Sequence, residues 1–332
     1  MALDHLPRVQ LGLFPTPMQH VADLAPGLHH LLLKRDDLTG FAWGGNKVRT
    51  VEFVLADALE RGADTLVVAG GPGSNFAALL AVAAAATGLA VRQVSYGSPR
   101  GAAALAVSRR AGAEVFFTGS DDRQSMEVGA REVAERLGAE GARPYFVPRG
   151  GASPVGACGF AAAAAELVSQ LAERDLPRAT VVLPVGSGGS IAGLLAGLGV
   201  NGHADQVDIV GVSVSRSPSE VEPCIAACAV ETARLLGGSG PSTRWRLVDG
   251  RAGGTGPVAD RLVREALRHS GLVADPVYNA KALVWLADHR AELREPTVYW
   301  STGGALAAAD TLITTFAEAG IGSGAVGAEA NT

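Results

Sequence analysis

Residues 34–47 read Lys34-Arg-Asp-Asp-Leu-Thr-Gly-Phe-Ala-Trp-Gly-Gly-Asn-Lys47, and the segment after them places Val48, Val51, Leu55 and Leu59 at helical spacing. That spacing predicts an amphipathic helix from about 48 to 61, with Asn46 as its cap and Gly62 as its stop. Lys47 then stands in the first turn. Two glycines let the backbone approach a planar ligand, and the positive end of the helix dipole lowers a lysine's pKa. A neutral amine is what Schiff-base chemistry needs, and burial would push in the same direction. Taken alone, the segment reads first as a solvated lysine at a helix entry.

Outward from this segment, short β-branched runs alternate with Ala- and Leu-rich helical stretches, the pattern of strand and helix units around a largely parallel sheet. The class is α/β. Strands are expected at 31–34, 65–69, 90–95, 114–118, 144–147, 180–185, 208–213 and 297–299. Besides 48–61, helices are expected at 75–87, 101–111, 125–138, 155–173, 191–198, 218–236, 257–270, 279–288 and 303–318. The Gly, Ala and Ser content of 320–332 suggests a frayed tail.

A length of 332 residues points to one large or two closely packed domains. With 48% hydrophobic and 18% charged residues, the chain is neither disordered nor a disulfide scaffold, and is expected to be soluble and globular. A net charge of −5 and the lack of a long basic run argue against nucleic acid as a partner. The most apolar stretch, Phe76 to Ala86, is about half the ~20 residues needed to cross a bilayer, so no membrane span is expected. Three cysteines without C-x-x-C spacing and a start lacking a signal-like segment suggest a cytoplasmic protein. The seven histidines are scattered, and no metal site is expected.

Three further segments carry chemistry. After strand 65–69 comes Gly70-Gly-Pro-Gly73-Ser74-Asn75-Phe76, whose helix-start amides, Ser74 hydroxyl and Asn75 amide suit a carboxylate or a ring oxygen; an ordinary capped turn reads as well. After strand 180–185 comes Gly186-Ser187-Gly188-Gly189-Ser190, which suits a phosphate at a helix N-terminus. A dinucleotide fingerprint would want Gly where Ile191 stands, and a Walker loop would want Lys where Leu194 stands, so the phosphate belongs to something smaller. A tight turn without ligand stays open. The third is Asp275-Pro-Val-Tyr278-Asn279-Ala-Lys281 followed by Ser301-Thr302-Gly303-Gly304, where a hydroxyl could meet a heterocycle nitrogen or merely cap a turn.

In this order, these segments resemble the pyridoxal-phosphate enzymes of the tryptophan-synthase-β fold, and more narrowly the 1-aminocyclopropane-1-carboxylate deaminase and D-cysteine desulfhydrase family. The resemblance runs from Thr16-Pro17 to Gly304, on GGNKVRTVE around Lys47, GVSVSR at 211–216, DPVYNAKA at 275–282 and STGG at 301–304. It implies a two-domain fold with mostly parallel sheets flanked by helices: residues 1–49 plus 161–332 form a large cofactor-binding domain and 50–160 a small one. It implies pyridoxal 5'-phosphate as cofactor, held by Lys47 as a Schiff base. Asn75 would bind the ring hydroxyl, Gly186, Ser187, Gly188, Gly189 and Ser190 the phosphate, and Thr302 the pyridine nitrogen. One electron-sink aldehyde needs one lysine, one phosphate cradle and one nitrogen partner, and the chain offers one of each.

The resemblance further implies a lyase that eliminates or deaminates a small amino acid, such as D-cysteine or a β-substituted alanine, and it suggests a homodimer. Lys47, Ser74 and Tyr278 would be catalytic, and Gly73, Ser74, Asn75, Phe76, Tyr278 and Asn279 would contact substrate. The chain departs from the family at Asn279, where the cyclopropane-opening deaminases carry Glu, and at Thr302, where they carry Leu. Gln-Ser-Asn-His is here Gly73-Ser74-Asn75-Phe76, and Thr255 takes the place of a Tyr. These changes point to a less polar pocket. A β-replacement synthase, a racemase and a non-catalytic cofactor binder are the alternatives.

Overall fold

The computed structural model describes residue 3 and residues 5–99, 101–240 and 243–318, with the backbone alone over 312–318. The tail from Gly320 to Thr332 lies outside the described residues. The chain opens with a hairpin, β1 (Met18–Ala25) and β2 (Leu28–Arg35), and continues through α1 (Lys47–Glu60) to an alternating run. That run is β3 (Thr65–Ala69), α2 (Asn75–Ala85), β4 (Ala90–Ser95), α3 (Ala103–Arg110), β5 (Glu114–Phe117), α4 (Ser125–Ala139) and β6 (Pro144–Val147). Then come α5 (Pro154–Ala172), β7 (Ala179–Val185), α6 (Gly189–Val200), β8 (Val207–Ser213), α7 (Pro218–Leu235) and β9 (Trp245–Asp249). Helices α8 (Pro257–Ser270) and α9 (Asn279–His289), strand β10 (Thr297–Ser301) and helix α10 (Ala305–Glu318) complete the order.

Two sheets result. Strands β3 to β6 form a four-stranded, wholly parallel sheet in the order β5-β4-β3-β6. The other six strands lie in the order β1-β2-β10-β7-β8-β9, parallel except for the β1–β2 hairpin. The central strands read as continuous apolar runs because helices cover both faces: every residue of β3 and of β7 is buried.

Helix α5 joins the two halves of the chain and runs through residue 160. At 19 residues it is long and apolar enough to cross a membrane by length and composition, unlike the shorter apolar stretch from Phe76 to Ala86. Here it is a core helix, packing Phe160, Ala163, Ala164 and Leu167 against α6 and β7. It approaches α1 backbone to backbone, since a Cβ on Gly159 would lie 2.0 Å from the Arg49 carbonyl oxygen.

Helix α1 differs from the amphipathic helix expected. Its residues from Val48 to Ala56 are all buried, Arg49, Thr50 and Glu52 included. The charged side chains find partners instead of water. Glu52 accepts from the Leu11 and Gly12 amides at 2.8 and 2.9 Å and pairs with Arg8 at 2.6 Å. Arg49 bonds Asp36 at 2.8 Å and Glu166 at 2.9 Å. Buried charges persist only when paired and hydrogen-bonded in this way.

Candidate active site

The carboxyl ends of parallel strands from both sheets face one cavity of about 320 Å³. From the larger sheet, β2 leads into the stretch ending at Lys47, β7 into the Gly186–Ser190 turn, and β10 into Thr302. From the smaller sheet, β3 leads into the Ser74 loop, β4 into Tyr96, and β6 into Arg149. In the larger sheet β7 lies where the order changes direction, with β8 on one side and β10 on the other, the usual place for a ligand crevice. The ladder from β10 to β7 ends at Tyr299 and Val182, one turn of pleat short of Pro184, a residue that brings no N–H to a ladder. Pro184 and Val185 therefore line the cavity.

Lys47 is the first residue of α1, and its placement is fixed by the residues before it. Gly45 has φ +54°, and a Cβ there would lie 2.3 Å from the Thr302 carbonyl oxygen. That oxygen accepts the Asn46 amide at 3.1 Å. Asn46 does not cap α1 as expected. Its backbone is already helical, and its side-chain amide donates instead to Ser190 Oγ at 3.2 Å. One residue thus ties the lysine loop to the turn after β10 and to the start of α6. No group among the described residues bonds the Lys47 amine, and burial lowers its pKa to about 8.

Around Lys47 the cavity wall includes Gly73, Ser74, Asn75 and Phe76. Ser74 caps α2, its Oγ accepting from the Ala77 amide at 3.2 Å, which leaves the hydroxyl proton free to point elsewhere. Asn75 Oδ1 is buried without a hydrogen-bond partner. Phe76 also packs into the apolar core between α1 and α2, and a Cβ on Gly73 would meet nothing within 4 Å. Gly186, Ser187, Gly188 and Ser190 line the facing side. Gly188 takes φ +97° immediately before α6, turning the first amides of that helix toward one point.

Tyr278 and Thr302 complete the wall. The Tyr278 ring packs on Gly186, where a Cβ would come within 2.9 Å of the ring. Burial, then the charge of Asp275, raises the phenol's pKa, so Tyr278 carries its proton at neutral pH. Two expected residues stand elsewhere. Gly189 faces Ala152 rather than the cavity. Asn279 is fully buried behind the wall: its Nδ2 donates to Asp275 at 2.8 Å and to the Gly303 carbonyl, and its Oδ1 accepts from Tyr299 at 3.0 Å and from the Thr302 amide at 3.3 Å. With its polar atoms spent on these bonds, Asn279 ties the start of α9 to the turn after β10 and does not line the cavity. Thr255 is exposed and lies away from the cavity wall.

With this geometry in view, the chain matches the family model described as "Pyridoxal-phosphate dependent enzyme" over residues 9–303. The chain belongs to that family. It is 35% identical over 308 residues, 91% of this chain and 93% of the relative, to a protein of Pyrococcus abyssi provisionally named a 1-aminocyclopropane-1-carboxylate deaminase. It is also 35% identical over 322 residues to the D-cysteine desulfhydrase of Salmonella typhi, covering 92% of this chain and 97% of the relative. A crystal structure described as an ACC deaminase homologue superposes with a TM-score of 0.85 at 32% identity, over 94% of this chain and 97% of the other.

This pyridoxal-phosphate-dependent enzyme has the groups its cofactor requires. The lining fits such a group: the desolvated amine at Lys47 suits an aldehyde, the buried, unpartnered Asn75 Oδ1 suits a ring hydroxyl, and the Gly186–Gly188 turn with two serines and the start of α6 suits a phosphate. Sequence reasoning missed Tyr96, Arg123, Arg149 and Ser215, which also line the cavity. A signal was present. Each lies just past the carboxyl end of a strand or in the loop that follows, the place where parallel sheets gather their ligands.

Proposed function

We propose that this enzyme eliminates a β substituent from a small amino acid, D-cysteine or another β-substituted alanine, to give pyruvate, ammonia and the released group after hydrolysis. The observation that carries this reading is the pairing, in one cavity, of an unbonded amine with pKa about 8 at Lys47 and a protonated phenol at Tyr278. One group can take a proton near neutral pH and the other can give one. The bound cofactor supplies an electron sink that lets the α carbon lose its proton.

Lys47 holds the cofactor and accepts the α proton on Nζ when that amine is free. Asn75, the residues Gly186 to Ser190 and Thr302 hold the ring oxygen, phosphate and ring nitrogen, Gly189 acting through its helix-start amide. The Ser74 hydroxyl and the first amides of α2 bind the substrate carboxylate, and Tyr278 protonates the departing group. Phe76 and the Tyr278 ring keep water from the β carbon. In the same reading, 1–49 plus 161–332 and 50–160 are two domains meeting at the cavity, with α1 and α5 between them, and the protein works as a cytoplasmic homodimer.

The test is to record absorbance of the holoenzyme while adding D- and L-amino acids singly, and to assay pyruvate. Substrates that lose the α proton shift the cofactor band to longer wavelength and yield pyruvate. A band that no amino acid moves sinks the proposal, and a new carbon–heteroatom product in place of pyruvate replaces elimination with β-replacement.

A further inference from the structure

The cavity has an unequal charge lining. Among the described residues that form its wall, Arg123 and Arg149 join Lys47 as cations, and no aspartate or glutamate stands with them. Arg149 follows β6 and is half-buried. Its guanidinium makes no hydrogen bond among the described residues, and its one ion-pair contact is to Glu127, at 3.9 Å. Its neighbour Gly150 packs on Ser187, a Cβ there lying 2.7 Å from Ser187 Oγ, so Arg149 stands beside the turn assigned to the phosphate.

That turn has its own arginine. Arg216 donates to the Gly186 carbonyl at 3.3 Å, and its Nε is buried without a partner. Arg149 is a different case. It and Arg123 lie within electrostatic reach of the Tyr278 phenol, the group assigned to the leaving-group side. Burial and the charge of Arg216 lower the Arg149 pKa, which shows how little counter-charge the protein provides there. A half-buried guanidinium with so loose a partner is poorly compensated until an anion arrives, and its planar fork then gives paired, charge-assisted bonds.

We infer that the substrate carries a second anion at the far end of its side chain, a carboxylate, sulfonate or phosphate, and that Arg149, with Arg123, selects it. This rests on the elimination reading, which places the α-carboxylate at Ser74 and the leaving group near Tyr278. It narrows the substrate from any β-substituted alanine to an acidic one.

The test is a spectroscopic titration of the holoenzyme with matched pairs in both enantiomers: alanine and aspartate, cysteine and cysteine sulfonate, serine and O-phosphoserine. The pairs separate the three anion chemistries. The anionic member of at least one pair should half-saturate the band shift at a concentration about tenfold lower than its neutral partner, the size expected for one charge-assisted pair. R149Q should abolish that preference, and R149K should retain part of it, keeping the charge but losing the fork. Cofactor affinity, followed by titrating pyridoxal phosphate into apoprotein, should be the same in R149Q and the parent. Neutral members binding as tightly as their partners would overturn the inference and leave elimination standing. So would a loss of cofactor affinity in R149Q equal to its loss of substrate preference, since Arg149 would then serve the phosphate. If no amino acid of either kind moves the band, elimination and this inference fall together.

Discussion

The stretch from Lys34 to Lys47 begins in a buried lysine and ends in a half-buried one lining the cavity, and the two are treated in opposite ways. Lys34 donates to the Thr16 carbonyl at 2.7 Å, to Gln170 at 2.8 Å and to the Glu166 carboxylate. Glu166 and Asp36 in turn hold Arg49, and the Trp300 indole donates to Asp36 at 2.8 Å. Two cations meet two anions, and nearly every polar atom is used. Burial lowers the pKa of Lys34 while Glu166 opposes the shift. Lys47 is desolvated with no opposing anion. A buried charge with its counter-charge fixes β2, α1, α5 and β10 relative to one another; a desolvated amine without one is left for chemistry.

The largest effect expected from this contrast is on turnover. Lys47→Ala should abolish the covalently held cofactor band and lower elimination by about 10³-fold or more, while the urea midpoint at neutral pH does not fall below that of the parent apoprotein, since the variant no longer desolvates an ammonium. Lys34→Ala should do the reverse. Removing one partner of a buried ion cluster costs about 3–5 kcal/mol, read as a drop in the urea midpoint, and the aldehyde-binding amine at Lys47 should survive wherever the variant is folded. If Lys34→Ala left stability unchanged, the cluster would be an ornament of the core rather than its brace.

A smaller effect sharpens the same contrast by pH. In cofactor-free protein, labelling of Lys47 by an amine reagent, followed by mass spectrometry, should reach its midpoint near pH 8 instead of the ordinary 10.5, because burial penalises the ammonium form. Lys34, enclosed by its anions, should label only on unfolding. The sign for stability follows. Between about 8 and 10.5 the unfolded chain holds the Lys47 proton and the folded one does not, so this residue's contribution to apoprotein stability rises with pH across that window. Lys47→Ala should flatten the rise.

How far the sequence reveals these things depends on range. Strands at 65–69, 90–95 and 144–147 and the helix at 257–270 have the bounds expected, because buried apolar runs and their turns are local signals. The two strands missed, β1 and β9, are the edges of the larger sheet. Half-exposed edge strands mix polar and apolar residues, as in Met-Gln-His-Val-Ala-Asp-Leu-Ala, so neither a continuous run nor a clean alternation appears. In the site, Lys47, Ser74, Asn75 and the glycine turn are legible since each is a contiguous motif. Arg149 is one arginine among many until β6 is paired with β3. The Lys34–Glu166 contact spans 132 residues of chain, and nothing local in either residue names the other.

The smallest effects concern a second matched pair, two phenols near α9. Burial raises the pKa of both Tyr278 and Tyr299, so both stay protonated. The Tyr299 hydroxyl bonds Asn279 at its backbone oxygen and at Oδ1, at 3.1 and 3.0 Å. The Tyr278 hydroxyl bonds no group among the described residues. Tyr278→Phe should therefore leave the fold and the cofactor in place and lower elimination by about 10-fold to 100-fold, the worth of one positioned proton donor. The loss should be largest for the poorest leaving group, which depends most on being protonated. Tyr299→Phe removes hydrogen bonds from acceptors one of which still receives the Thr302 amide, so it should cost only about 1 kcal/mol of stability and little turnover. Equal effects of the two changes on turnover would mean that Tyr278 acts by packing on Gly186, and the proton donor would have to be sought elsewhere in the cavity.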